Sequence, residues 1–388
     1  MNKREDEMRY MDYAATAFPK PESVLREMDR VNRMLAVNTG RGAYRTAREA
    51  AQIIDQTREE LANLVCASDA SNVIISPSAS IAFNQILRGI DWRMGDTVYL
   101  SPYEHNAVIR TLYDIQKKVE IQIVQMPLKE NLEIDLEALS YRFSVQRPCC
   151  VCITHISNVT GYILPIGEIA RLAKRYGALV VADAAQSIGL LPIDIKEMKI
   201  DFLVFAGHKN LYGPFGIGGF VAESDYPLQI VLTGGTGSDS RNLEMPEKMP
   251  GRYEFASPNI GAIAGCLEGI RWVRANREIL WKKEKELTER LLEELEKING
   301  VMFCRMDKGK QIGIVSFWME EYRSEEVGLL LDEDYKIAVR CGYHCAALIH
   351  PWLGEEKYGG TVRVSVGWKS SMEDVEALVK AVQDLAKR

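Results

Sequence analysis

No apolar run in this sequence approaches the roughly 20 residues that a helix needs to cross a bilayer. Internal repeats and low-complexity tracts are also missing, which sets aside solenoid and fibrous architectures. Positive charge is not in excess. The formal net charge of −6 argues against nucleic acid or an anionic membrane surface as the principal partner. The opening residues, MNKREDEMRY, are too charged for a secretory signal, so the cytoplasm is the expected location. Eight cysteines without such a signal are expected as reduced thiols, not as a disulfide framework. What remains is an ordinary globular composition, 47% hydrophobic, in 388 residues, enough for two domains that share a large core.

The most informative stretch runs from Val180 to Phe220, VVADAAQSIGLLPIDIKEMKIDFLVFAGHKNLYGPFGIGGF. Its apolar runs LVVADA and DFLVFAG, rich in β-branched and aromatic residues, read as strands buried on both faces. The first ends on Asp183 and the second leads to His208 and Lys209. In an open α/β sheet, ligands sit beyond the carboxyl ends of the strands, so one carboxylate and one amine are offered to one crevice. A desolvated lysine can form a Schiff base with an aldehyde cofactor. Pyridoxal phosphate also needs an anion beside its ring nitrogen. Asp183 and Lys209 can supply both groups; a solvated or salt-bridged pair of loop residues is the plainer reading.

Elsewhere the residues leave similar pairs of readings. In SPSASIAFNQILRGI a strand gives way to a helix near Ser80, which is either an ordinary serine cap or a phosphate cradle. His105 follows the strand in DTVYLSPYEHNAVIR, where a structural role and a proton-relay role are both open. Cys149, Cys150, Cys152 and His155 in CCVCITHISNVTG invite a metal reading, but neighbours on a strand face opposite ways. Buried cysteines acting as small hydrophobes explain them, and no metal site is expected. Alternating strands and helices up to this point indicate a doubly wound, largely parallel sheet. From about Cys266 the pattern becomes a charged helix over 277–298 followed by short strands and a last helix opening at Ser370 or Ser371. In AVRCGYHCAALIHPWLG, Cys345 is a candidate nucleophile if Arg340, His344 or His350 lowers its pKa, or else a structural cysteine. Arg363 in TVRVSVG has a fork suited to a carboxylate, or to a surface ion pair.

Several of these segments together resemble the class V aminotransferases of the cysteine desulfurase and selenocysteine lyase family. The resemblance begins at YMDYAAT, Tyr10 to Thr16, and passes through DAAQS and GHKNLYGPFGIGG to RVSVGWKSSMEDVE, Arg363 to Glu376. It implies a fold-type I pyridoxal-phosphate transferase, α/β, with a mostly parallel seven-stranded sheet in a large domain and a small α+β domain. On that basis residues 1–20 are an N-terminal segment packing with the small domain. Residues 21–265 would form the cofactor domain, and 266–388 the small domain with the cysteine loop.

The resemblance also assigns site residues. Pyridoxal 5′-phosphate would be held by Ala79, Ser80, His105, Asn158, Asp183, Gln186, His208 and Lys209. Ser257, in RYEFASPN, would reach the phosphate of a partner subunit, which implies a homodimer. Ala15, Asn158, Arg340 and Arg363 would bind the substrate, with Lys209, Cys345 and His105 catalytic. The implied reaction converts L-cysteine or a related amino acid to L-alanine with a persulfide on Cys345, passed on to a possible acceptor protein. A selenocysteine lyase or other C–S lyase, an aminotransferase, and a non-catalytic scaffold that binds a sulfur carrier are the alternatives. Three residues depart from the pattern. Ala206 stands where a hydroxyl residue is usual, Ala256 replaces a glycine, and Cys341, which could pair with Cys345 or help bind a metal, replaces Thr or Ala.

Overall fold

The computed structural model describes residues 8–237 and 241–387. The expected strands join two that the sequence reading did not name as strands, Gly218–Ala222 and Gln122–Gln125, in one seven-stranded sheet. From edge to edge they are Val73–Ser76, Gly218–Ala222, Phe202–Ala206, Leu179–Asp183, Cys150–Thr154, Thr97–Leu100 and Gln122–Gln125. Gly218–Ala222 runs antiparallel to both neighbours, and every other pairing is parallel. This is the mostly parallel α/β sheet that the sequence implied.

Strand composition explains why helices cover both faces. CVCIT, FLVFA and GGFVA are buried at every position. Successive side chains leave a strand on opposite sides. Val151, Ile153, Val180, Ala182, Leu203 and Phe205 therefore join one apolar cluster, while Cys150, Cys152, Val181, Phe202 and Val204 join another. Cys150 and Cys152 lie side by side in the second, with the Cys152 thiol raised by its hydrogen bond to Cys150 and by burial.

A second sheet is antiparallel throughout, in the order Arg340–Gly342, Thr361–Ser365, Ile314–Met319 and Val301–Phe303. Helix Ile260–Leu295 joins the two sheets. The expected helix over 277–298 corresponds only to its second part, because the true start is capped by Asn259, whose side-chain oxygen accepts from Ala262 N at 3.1 Å. Its opening stretch, IGAIAGCLEGI, shows no amphipathic stripe because helices Glu22–Met34 and Arg45–Leu64 pack around it. Farther along, Leu287, Leu291, Leu292 and Leu295 enter the core under the second sheet, each worth about 1.5–3 kcal/mol on full burial.

The run KIAVRCG, expected as one strand, divides between two sheets. Ile337–Ala338 pairs in parallel with Arg9–Tyr10, and Arg340–Gly342 pairs with Thr361–Ser365. After Tyr10 the chain stays stitched down. Met11 N donates to Ala338 O at 2.9 Å, Ser365 N to Met11 O at 2.7 Å, and Ala17 N to His208 O at 3.0 Å. Residues 8–17 thus tie the second sheet to the turn that carries Lys209. Residues 1–7 of the N-terminal segment lie outside the described residues.

The same turn leans on the long helix at Gly269. A methyl group there would lie 2.2 Å from Leu211 O and 3.1 Å from Gly213 N, backbone atoms that cannot rotate away. Gly269→Ala is expected to cost about 1–3 kcal/mol in urea unfolding, the range for overpacking a dense core. An unchanged midpoint would show that the turn yields freely.

Candidate active site

A cavity of about 370 Å³ opens beyond the carboxyl ends of the central strands. Its lining includes Ala15, Ala79, Ser80, His105, Asn158, Asp183, His208, Lys209, Arg340, Cys345 and Arg363. The fold brings these positions together from more than three hundred residues of chain, and the sequence had singled out each of them.

Strand Leu179–Asp183 ends with Asp183 in the cavity, where Oδ1 accepts from Ala185 N at 2.8 Å. Burial raises its pKa, and the Lys209 charge opposes that rise. Lys209 follows strand Phe202–Ala206 by a tight turn. Desolvation lowers its pKa most, Asp183 pulls it back up, and Arg363 and Arg340 lower it again. Each of the pair therefore limits the cost of burying the other.

His105 caps helix Asn106–Val119, its Nδ1 accepting from Ala107 N at 3.0 Å. That acceptor role leaves the ring proton on Nε2. Desolvation, then the nearby Lys209 charge, pushes the pKa down to about 4, so the ring is neutral at pH 7. Helix Ala79–Gly89 also starts at the cavity, with Ser78 Oγ accepting from Ile81 N at 3.3 Å. Gly218 permits this approach, since a Cβ there would lie 2.7 Å from Ala79 N. Ala206 also lines the cavity and supplies no hydroxyl.

Arg340 and Arg363 come from the second sheet, Cys345 from the turn after Arg340–Gly342, and Asn158 from the loop after Cys150–Thr154. Arg363 is buried; its Nη1 donates to Asn158 O at 3.0 Å and its Nη2 to Asp12 Oδ1 at 2.7 Å. Asn158 Nδ2 in turn donates to His344 O at 2.6 Å. Cys345 is exposed at the rim, and its carbonyl accepts from Asn106 N at 2.6 Å. His344 and Cys345 have φ of 45° and 57°, two successive side chains held in the sparsely populated left-handed region.

Some expected placements change. His344, with Nε2 2.8 Å from Thr361 Oγ1, is pushed well below the ordinary histidine pKa by burial and is no cation for Cys345. His350 is buried against Glu355 and Tyr343 O, so it is committed elsewhere. Cys341 packs its sulfur toward Gly328 of helix Ser324–Tyr335, on the strand face away from Arg340, in the apolar core. Cys341 and Cys345 are both free thiols. Gln186 lines a smaller neighbouring cleft, where Nε2 donates to Ala14 O at 2.8 Å, and is not part of the main cavity wall. Ser257 is exposed outside the cavity, its Oγ 3.3 Å from Asn38 Nδ2.

Sequence reasoning assigned no role to three residues here. Asp12 pairs with both cavity arginines, through Oδ1 to Arg363 and through Oδ2 to Arg340 Nε at 3.0 Å. Phe215 stacks on His208 with ring centroids 4.6 Å apart. Glu104 is buried beside the site, Oε1 accepting from Ser101 Oγ and Thr154 N, both at 2.6 Å. Asp12 and Glu104 stand within quoted motifs, where a charge amid apolar residues was a usable signal. Phe215 had none.

A mostly parallel sheet that ends on Lys209 and a buried Asp183, with two arginines opposite them from a second sheet, makes this cavity the candidate active site. The Aminotransferase class-V family model matches residues 9–378, and the chain belongs to that family. A probable cysteine desulfurase of Pyrococcus abyssi is 30% identical, covering 98% of this chain and 95% of that protein. A cysteine desulfurase of Pectobacterium atrosepticum is 28% identical, over 97% of this chain and 92% of that protein. Among solved structures, the apo cysteine desulfurase of Thermococcus onnurineus superposes with a TM-score of 0.90 at 27% identity, covering 98% of this chain and 95% of that one. The Escherichia coli cysteine desulfurase CsdA gives 0.83 at 26% identity, with 97% and 94% covered.

Glu104 makes a test of the site's electrostatics. Burial, reinforced by the Asp183 charge, raises its pKa to about 8 from an ordinary 4.5. The folded state then holds a proton that the unfolded chain has released. Stability associated with this group is present below pH 4.5 and is lost as pH rises toward 8. Glu104→Gln keeps the shape without the titration. Its urea midpoint relative to the parent is expected to be distinctly higher at pH 8.5 than at pH 5; a pH-independent difference would contradict the assignment.

Proposed function

We propose that this protein is a pyridoxal-phosphate-dependent cysteine desulfurase that converts L-cysteine to L-alanine and takes the sulfur onto Cys345. The observation that carries this reading is the convergence of Lys209, Asp183, His105, Arg363 and Cys345 on one cavity. The cysteine desulfurases among its relatives support the choice of reaction.

The residues present fit the cofactor. A helix start at Ala79 and Ser80 offers N–H groups to a phosphate, and Gly218 keeps that approach clear. Buried His208 Nδ1 and Arg363 Nε have no hydrogen-bond partner among the described residues, so polar capacity remains for ligands. Lys209 would tether the aldehyde, Asp183 would keep the ring nitrogen protonated, and His105 and Asn158 would flank the ring. Gln186 would reach it only by leaving Ala14. Ser257 would serve the phosphate of the partner subunit in a homodimer. When bound, the cofactor supplies an electron sink for negative charge at the substrate α-carbon.

The chain's own groups do the rest. Arg363 orients the substrate carboxylate, with Ala15, Asn158 and Arg340 around it. The Lys209 amine, kept basic enough by Asp183 and free enough by desolvation, removes the α-proton. Neutral His105 can move a proton at the substrate thiol. The Cys345 thiolate attacks the substrate sulfur. A sulfur–sulfur bond forms, the carbon–sulfur bond breaks with its electron pair left on carbon, and a proton there completes alanine. An exposed Cys345 suits later transfer of the sulfur to an acceptor protein. We also place the protein in the cytoplasm, with residues 21–265 as the cofactor domain, 266–388 as the smaller domain and 1–20 packing on the latter.

Three measurements test this. With cofactor supplied, borohydride should label Lys209 and no other amine; labelling elsewhere would overturn the assignment. Cys345→Ala should lose at least a hundredfold in sulfide release from L-cysteine while keeping the cofactor absorbance, whereas undiminished release would remove Cys345 from the reaction. Arg363→Lys removes a fork that binds two oxygens at once, and kcat/KM is expected to fall tenfold to a hundredfold, about 1.5–3 kcal/mol, chiefly through KM.

A further inference from the structure

Two buried titratable side chains, His350 and Glu355, take no part in the chemistry above. They are 1% and 0% exposed, and His350 Nδ1 is hydrogen-bonded to Glu355 Oε1. The segment between them explains the meeting. Helix His350–Leu353 is a single turn that ends on Gly354, whose φ of 73° reverses the chain and returns Glu355 to His350. Glu355 Oε2 has no hydrogen-bond partner among the described residues, so holding His350 is the one bond the carboxyl group makes.

Proton accounting gives the pair a direction. His350 Nε2 lies 2.9 Å from Tyr343 O, and a carbonyl only accepts, so Nε2 carries a proton. Glu355 on the other ring nitrogen fixes that arrangement. His350 therefore presents a fixed N–H to the residue two places before Cys345. The turn it reaches needs support, because φ of 45° at His344 and 57° at Cys345 persist only where the surroundings hold them. Three successive carbonyls supply the hold. Tyr343 O accepts from His350 Nε2 and, at 3.0 Å, from Ala346 N. His344 O accepts from Asn158 Nδ2 and Cys345 O from Asn106 N, both at 2.6 Å. Ala346 and Ile349, fully buried in the core of the large sheet, anchor the stretch that leads to His350.

We propose that His350, oriented by Glu355, is a positioning residue for Cys345: its Nε2–H pins the Tyr343 carbonyl, and with it the left-handed turn that presents the thiol to the cavity. The effect on turnover rests on the reading that Cys345 takes the sulfur. Neither His350 nor Glu355 lines the cavity or touches a reacting atom.

Hydrogen exchange read by mass spectrometry on the cofactor-loaded protein tests this. Asn106 N is the first amide of its helix and has no partner within it, so its protection comes from Cys345 O. His350→Phe keeps a ring and removes the donor. Exchange at Asn106 should quicken at least tenfold, while peptides from strands Leu179–Asp183 and Phe202–Ala206 keep the parent rate. In the same variant, kcat for sulfide release from L-cysteine should fall at least tenfold. The L-cysteine concentration that half-saturates the change in cofactor absorbance should stay within twofold, which general loosening of the fold would not allow. Glu355→Gln can donate its amide N–H to Nδ1 and keep the proton on Nε2, so it should retain both exchange and turnover within threefold. Glu355→Leu should behave as His350→Phe does. Unchanged exchange at Asn106 in His350→Phe, equal quickening in the strand peptides, or an unchanged kcat overturns the proposal. If His350→Phe does not fold, Glu355→Leu decides on the same readings. A parent and variants that exchange as expected yet release no sulfide would sink only the desulfurase reading.

Discussion

Everything in this molecule depends on holding an ammonium and a carboxylate in a dry crevice without letting them neutralise each other's use. Asp183 and Lys209 sit at the ends of adjacent parallel strands, Leu179–Asp183 and Phe202–Ala206. Parallel pairing matters here because it sends both chain ends out on the same edge of the sheet. Burial alone would drive the carboxyl neutral and the amine to release its proton, and each charge restrains the other's shift. Around the pair the protein places groups that do not compete for charge, a neutral His105 and a Glu104 whose proton is held by burial.

The second sheet supplies the opposite requirement, a defined positive charge facing the cavity. Arg363 is buried on Thr361–Ser365 and reaches across to Asn158 O, so the guanidinium itself links the two sheets. Burial would discourage its charge, and Asp12 restores it. The N-terminal stretch earns its place through this contact. It runs beside the second sheet at Arg9–Tyr10, presents Asp12 to two arginines, and ends with three donors on the His208 carbonyl, from Ala17 N, Thr16 Oγ1 and Lys20 Nζ.

Legibility in the sequence followed the range of the interaction. LVVAD, FLVFA and CVCIT were readable as strands because two-sided burial leaves an unbroken apolar run. The last helix start was readable as Ser370 or Ser371, and the reciprocal bond with Asp374 makes Ser371 the cap. The start of Ile260–Leu295 was not, since helices from residues 22–64 cover its largely apolar surface. Nor was the division of KIAVRCG, whose two halves pair with partners more than three hundred residues away and about twenty residues away. Among site residues, Lys209, Asp183, His105, Arg363 and Cys345 were recoverable from local motifs. The commitments of His344, His350 and Gln186 to other partners, and the grip of Asp12, were not.

By itself the sequence determined the alternation of strands and helices, the strand ends that carry the charged pair, and the chemistry those side chains can perform. Each of these is local, set by side-chain type and spacing along a few residues. The tertiary structure alone decided which charges survive. Protonation and pairing depend on burial and on neighbours brought from afar, so a histidine beside Cys345 became neutral, and an aspartate near the N-terminus came to balance two arginines near the other end.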